Sequence, residues 1–181
     1  GMNLWLAAII VIVLCGAFGY FQDVVIWKPL RRRRLSLPQL MIVTIGLSLA
    51  LQYTFQFFIG ASTVRIVTTN PVPVKIGPVT LSLDSLIAMG IAVVVLIGVG
   101  LFLLYTRVGR ATRAVSDNPS LAAASGINVD GVIRLIWTSS AALAGLAGIL
   151  LGLVLNGINW MTGMQLLLLL FSAVTLGGLG T

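Results

Sequence analysis

The sequence predicts an all-α, polytopic membrane protein. It should have about five transmembrane helices, a short helix along the cytoplasmic face and a small external hairpin. Three observations predict this. Of 181 residues, 59% are hydrophobic and 8% charged, where a soluble domain carries about 25% charged residues. The apolar residues fall into five runs, each near the ~20 residues that a spanning helix needs. The Lys and Arg residues gather between the runs, as topology requires, and not along one face. Lipid offers no water to backbone N–H and C=O groups, and the alternating pattern of a barrel is absent, so the runs are helices.

Taken in order, the spans are residues 3–27, 37–59, 83–105, 132–156 and 164–181, forming a single transmembrane domain. The first holds Cys15, which has no second cysteine to pair with and reads as a small apolar side chain. The connection 28–36 carries Lys28 and the run Arg31-Arg32-Arg33-Arg34, an anchor for anionic headgroups of the membrane lipid. In 60–82 the basic residues are Arg65 and Lys75, and alternation on either side of Gly77-Pro78, after Asn70-Pro71-Val72-Pro73, predicts the hairpin. Ser82 is placed to cap the third span, with Asp84 at the positive end of the helix dipole. The connection 106–131 carries Arg107, Arg110 and Arg113, with Arg134 just inside the next helix, and 157–163 has no basic residue. Loops 28–36 and 106–131 are therefore cytoplasmic, and residue 1 is outside. Trp5 and Trp160 sit near the outer boundary, and Trp27 and Tyr105 near the inner one. Both chain ends read as cut, so a longer membrane subunit is expected.

Inside the spans, small residues at i, i+4 spacing predict close helix packing: Ser140, Ala144, Gly148 and Gly152, then Gly46 with Ala50, and Ala88 with Ala92. A thinner polar set is the candidate translocation path: Thr44, Ser48, Thr138, Ser139, Asn156 and Asn159. The hydroxyls among them have the competing option of bonding their own helix carbonyls. Asn156 and Asn159 are harder to explain as packing. No charged residue falls at mid-membrane, which counts against ion-coupled transport by buried carboxylates.

The chain has no Glu, no His and one cysteine; its acids are Asp23, Asp84, Asp117 and Asp130. General acid–base pairs, metal clusters and Cys/His dyads need residues that are missing. The expectation is a non-enzyme with no cofactor and no metal site. The net charge of +7 belongs to topology, so no nucleic acid is expected as a partner.

The connection 106–131 is too structured for a linker. Gly109 to Ser116 can continue the third span as a cytoplasmic helix, with Arg110 and Arg113 on one side and Asp117 four residues beyond Arg113. Asn118 suits a helix N-cap, with Pro119 at the first helical position. Leu121-Ala122-Ala123-Ala124-Ser125 makes one short helix, Gly126 suits its C′ position, and Asn128 or Asp130 caps the next span. A short transverse helix with small side chains suits a groove on a cytoplasmic partner.

These residues carry a resemblance. The stretch from Gly109 to Pro119, with Ala122-Ala123 and Gly126-Ile127-Asn128, resembles the cytoplasmic loop of branched-chain amino-acid ABC transporter permeases. Ala141 to Gly148 and Ala173 to Gly180 resemble the same family. Thr44-Ile45-Gly46-Leu47-Ser48 and the Arg-rich loop are compatible with it. The resemblance implies a permease subunit of an ATP-driven importer for branched-chain or related amino acids, in a prokaryotic cell membrane. It implies that Gly109, Arg110, Arg113, Asp117 and Asn118 couple to separate ATP-binding cassette subunits. It also implies a second permease subunit and an extracellular or periplasmic substrate-binding protein. Gly177-Gly178-Leu179-Gly180 lacks the Lys-Ser/Thr ending of a phosphate-binding loop, so ATP belongs to the partners. The alternative is an ion-coupled secondary transporter or channel subunit, which would need a coupling-ion site or a pore ring.

Overall fold

In the computed structural model the apolar runs form, among the described residues, four helices long and apolar enough to cross a membrane: Leu6–Arg32, Pro38–Ile59, Leu83–Tyr105 and Val129–Leu155. The structure describes residues 4–33, 35–65, 73–76 and 79–177. The readings made for residues 1–3, Arg34, Asn70-Pro71-Val72, Gly77-Pro78 and 178–181 fall outside that set, as do the side chains of Trp5 and Lys75. The outward faces carry Phe57 at 85%, Leu96 at 75% and Leu168 at 80% exposure. Apolar surface on that scale is intolerable in water and ordinary against lipid tails. This is a multi-pass membrane protein.

The described chain divides into two compact units. The first contains α1 (Leu4–Gln22), a π-turn (Asp23–Trp27), α2 (Lys28–Arg32), β1 (Pro73–Ile76), β2 (Val79–Ser82), α4 (Leu83–Tyr105), α5 (Arg107–Asp117), α6 (Pro119–Ala124) and almost all of α7 (Val129–Leu155). The second contains α3 (Leu37–Ile59), α8 (Thr162–Gln165) and α9 (Leu167–Leu176).

In the first unit α1 and α7 run antiparallel along a seam of small residues. A side-chain carbon at Gly19 would lie 2.5 Å from Ala141 Cβ and 2.7 Å from the Trp137 carbonyl oxygen. One at Gly145 would lie 2.8 Å from Cys15 Sγ. Glycine permits this approach, and close dispersion contact then replaces the hydrophobic drive that lipid removes. The expected row on α7 is therefore offset. Nothing lies within 4 Å of a carbon built at Gly148 or at Gly46, and Ser140 and Ala144 are exposed, although Gly152 and Ala88 are buried. The seam falls on Ala141, Ala142 and Gly145, because α7 has small residues on several sides and only packing selects one. Further along, Ile91 of α4, Ala8, Ile9 and Ile12 of α1 and Leu146 of α7 line an apolar cavity of about 210 Å³.

Two boundaries move. The first helical run does not stop at 27. It passes through the π-turn, where the Lys28 N–H donates to the Asp23 carbonyl, and continues as α2 to Arg32. Lys28, Arg31 and Arg32 are therefore helical and not part of a loop. The last apolar segment, expected as one span over 164–181, is broken at Leu166 into α8 and the ten-residue α9, so among the described residues it is shorter than a span. The hairpin is present as β1 paired antiparallel with β2, Val74 opposite Leu81. Ser82 accepts a hydrogen bond from the Ser85 N–H at 3.2 Å and starts α4, as its side chain chemistry requires.

In the second unit the Ser36 N–H donates to Gln39 Oε1 at 2.9 Å at the start of α3, and Gly60, at φ 88°, ends it. An isolated bridge between Val64 and Ile158, with N–O distances of 2.9 and 3.0 Å, ties the stretch after α3 to the stretch before α8. Tyr53 and Trp160 meet across it at 6.1 Å between ring centroids.

Candidate functional site

The connection from α4 to α7 is a module with its own architecture. It does not continue α4. Thr106 is extended at φ −87°, ψ 157°, and its hydroxyl accepts from the Gly109 N–H at 3.1 Å, so α5 starts afresh after a bend. The reason is Thr106 itself, which offers the backbone a side-chain cap in place of another helical turn.

Arg113 Nη2 donates to the carbonyls of Leu103 at 2.9 Å and Leu104 at 3.2 Å. These are orphan acceptors at the negative end of α4, where a cation is favoured. Arg110 reaches the Tyr105 carbonyl at 3.5 Å, a marginal bond. A side-chain carbon at Gly109 would run into the Leu103 carbonyl, so only glycine fits where α5 crosses the end of α4. The expected Arg113–Asp117 pair is absent among the described residues, because the α4 carbonyls hold the guanidinium. Val115 and Gly109 are buried, and Arg107, Arg110, Ser116 and Asp117 face outward.

Asn118 turns the chain from α5 into α6. Its Oδ1 accepts from the N–H groups of Ser120 and Leu121, both at 3.1 Å, and Pro119 occupies the first turn. Two of the orphan donors of α6 are thus satisfied. At the other end the Gly126 N–H bonds the Ala123 carbonyl and the Ile127 N–H bonds that of Ala122, with Gly126 at φ 84°. This is the double-bonded glycine terminator. Asn128, not Asp130, caps α7, accepting from the Gly131 N–H at 3.0 Å. Ala122 is buried, and Leu121 projects outward at 65% exposure.

Of the polar set expected along a path, two members share a cavity. Ser48 and Asn159 line the same cavity of the second unit, about 700 Å³, with Gln52, Phe55, Trp160 and Met164. Thr138 and Ser139 belong to α7 in the first unit, and neither Thr44 nor Asn156 lines that cavity. Each hydroxyl is satisfied locally: Thr44 by the Met41 carbonyl at 2.7 Å, Ser48 by Ile45 at 2.9 Å, Thr138 by Arg134 at 2.9 Å and Ser139 by Ile136 at 3.1 Å. The two asparagines also have local work. Asn156, at φ 55°, takes the left-handed conformation that ends α7 and that asparagine tolerates. Asn159 Oδ1 accepts from the Met161 N–H and the Thr162 hydroxyl, each at 3.0 Å, and so shapes the entry to α8.

A second cluster was not apparent from the sequence. Asp23 is the one side chain among the described residues that is fully buried. It lies within the helical run that ends at Arg32. Arg31 Nη1 approaches its Oδ1 at 2.8 Å, and Arg134 Nε lies 3.9 Å from its Oδ2. Arg134 also stands over the Tyr20 ring at 5.3 Å, Trp27 stacks on Trp137 at 5.2 Å and 13°, and Lys28 pairs with Asp130 at 3.7 Å. Seven residues make about two α-helical turns. The π-turn absorbs one more, so Arg31, eight residues on, returns to the face of Asp23. A π-turn in the first helix has no composition signal.

The whole chain, residues 1–181, matches the family model described as the branched-chain amino acid transport system permease component. It is 31% identical over 179 residues to the high-affinity branched-chain amino acid transport system permease protein BraD of Pseudomonas aeruginosa, covering 94% of this chain and 56% of that protein. It is 28% identical over 175 residues to LivH of Escherichia coli K12, with the same coverage. A probable branched-chain amino acid transport permease, LivH of Methanocaldococcus jannaschii, is 32% identical over 161 residues, 84% of this chain and 49% of that protein. The chain thus spans about half the length of the curated relatives it matches. No solved structure matches it significantly. The match to the family model runs through both units and the α5–α6 module, and this chain belongs to the permease family of branched-chain amino-acid transport systems.

Proposed function

We propose that the protein is a permease subunit of an ATP-driven importer for branched-chain or related amino acids, and that α5 and α6 dock on a separate ATP-binding cassette subunit. The observation that carries this reading is the attachment of the module. Arg113 and the close approach at Gly109 bind α5 to the end of α4, and Asn118 and Gly126 fix α6 at both ends. A force applied to the module reaches α4 on one side and α7 on the other without being lost in a slack loop. The five expected coupling residues then divide by role. Gly109, Arg113 and Asn118 build the module, while Arg110 and Asp117 remain outward for a partner, with Leu121 as an apolar knob.

The distribution of basic residues supports a cytoplasmic position for the module and an external position for residue 1 in a prokaryotic cell membrane. A second permease subunit and an external substrate-binding protein complete the proposed assembly. The cavity beside Ser48 and Asn159 is walled mainly by apolar side chains and suits an aliphatic substrate group. Ion coupling finds little support, because the buried carboxylate of Asp23 already faces two guanidinium groups. The test is co-purification of the ATPase with the permease from detergent. Arg110→Ala with Asp117→Ala should reduce it at least fivefold. Undiminished recovery of the ATPase would sink the docking role.

A further inference from the structure

We infer that Asp23 is a positioning residue that makes α1 and α7 move as one body, so that displacement of the α5–α6 module is delivered to α1. The inference rests on the docking reading above and adds the step after it. Module and seam are joined by the chain itself: α6 ends at Gly126, Asn128 caps α7, and Asp130 and Arg134 occupy the first two turns of α7. Those two residues are the ones that reach α1 and its extension, Asp130 to Lys28 and Arg134 to Asp23 and Tyr20.

The charge arrangement is one that favours holding the two helices together. Asp23 is fully buried and faces two arginines, whose side chains are 28% and 30% exposed. Asp23 Oδ1 and Oδ2, Arg31 Nε and Nη2, and Arg134 Nε are buried without a hydrogen bond of good geometry. Parting the helices would leave a carboxylate in a low-dielectric site with only one of its counter-charges, and buried charges tolerate that poorly. Along α1 the cluster is flanked by Gly19, close against Ala141 and the Trp137 backbone, and by Trp27, stacked on the Trp137 ring. The π-turn sets the register, presenting Asp23 and Trp27 to α7 while Arg31 folds back to the carboxylate. Such turns inside α-helices recur at functional positions.

The test uses the assembled transporter in lipid, reading substrate taken up per ATP hydrolysed and, in the same sample, the ATPase bound per permease. Asp23→Asn and Arg134→Gln should each lower uptake per ATP at least tenfold, and the double variant should be no worse than either single. A role in folding alone would reduce the amount of complex and leave that ratio unchanged. An unchanged ratio in either single variant, or losses that multiply in the double, overturns the inference. If the wild-type permease recovers no ATPase, the docking reading itself fails, which is a separate result. Should the charge variants not assemble, a cross-link decides. In a Cys15→Ser background, Lys28→Cys with Asp130→Cys joined by a short bismaleimide should transport within about twofold of the same protein before cross-linking. A tenfold or greater block would mean that α1 and α7 part during the cycle, and the inference would be wrong.

Discussion

Asn118 shows how much one side chain can decide. Its extended backbone stops α5, and its Oδ1 collects two N–H groups of α6. Asn118→Ala should cost about 1 kcal/mol at the start of α6, read as roughly fivefold faster amide exchange at Ser120 and Leu121. Asn118→Asp should keep most of the protection. This chemistry is local, acting over two or three residues, which is why Asn118-Pro119 and Gly126 were legible in the sequence. Asp23 was not. Its partners lie eight residues away across a π-turn and far along the chain on α7, and neither separation is a spacing at which a regular helix pairs charges.

Between elements, contact geometry decides outcomes that composition leaves open. The α1–α7 seam uses Gly19 and Gly145, while Gly148 has open space around it. Gly19→Leu should destabilise the protein by about 1–3 kcal/mol through overpacking, and Gly148→Ala should be close to neutral. Thermal unfolding in lipid nanodiscs checks the contrast, and equal effects would mean that the seam is misplaced. The joint between α4 and α5 makes a second case. Removing Arg113 as Arg113→Ala frees two carbonyls at the end of α4 and should broaden the distance distribution between spin labels on α4 and α5. Arg113→Lys should restore only part of the order, because an ammonium lacks the rigid fork of a guanidinium. The sequence marked Arg113 as important and paired it with Asp117 by helix spacing. The carbonyls of Leu103 and Leu104 are nearer to its guanidinium once Thr106 bends the chain.

For the whole molecule, composition was the strongest guide. The low charge, four long apolar helices and the grouping of basic residues all describe a chain that lives in lipid, and the structure has the helices. The broken last segment escaped notice because the turn falls at Leu166, the start of a leucine run, with no proline or glycine at the break. Orientation gives the prediction at this scale. With Cys15 replaced by serine, a cysteine at exposed Ser120 should react with an impermeant maleimide from the cytoplasmic side only, and one at exposed Asn156 from the opposite side. Reversed labelling would overturn the assignment made from the basic residues.

The double pairing of Asp23 also matters for the order in which the chain is made. Arg31 follows Asp23 within a few residues, whereas Arg134 is synthesised only after α3, α4 and the module. A carboxylate that enters a bilayer without a counter-charge is a costly species. Arg31 supplies a counter-charge from the same helical run, and Arg134 joins when α7 arrives. Chain order therefore gives Asp23 one counter-charge early and the second late, and in the folded chain both arginines face it.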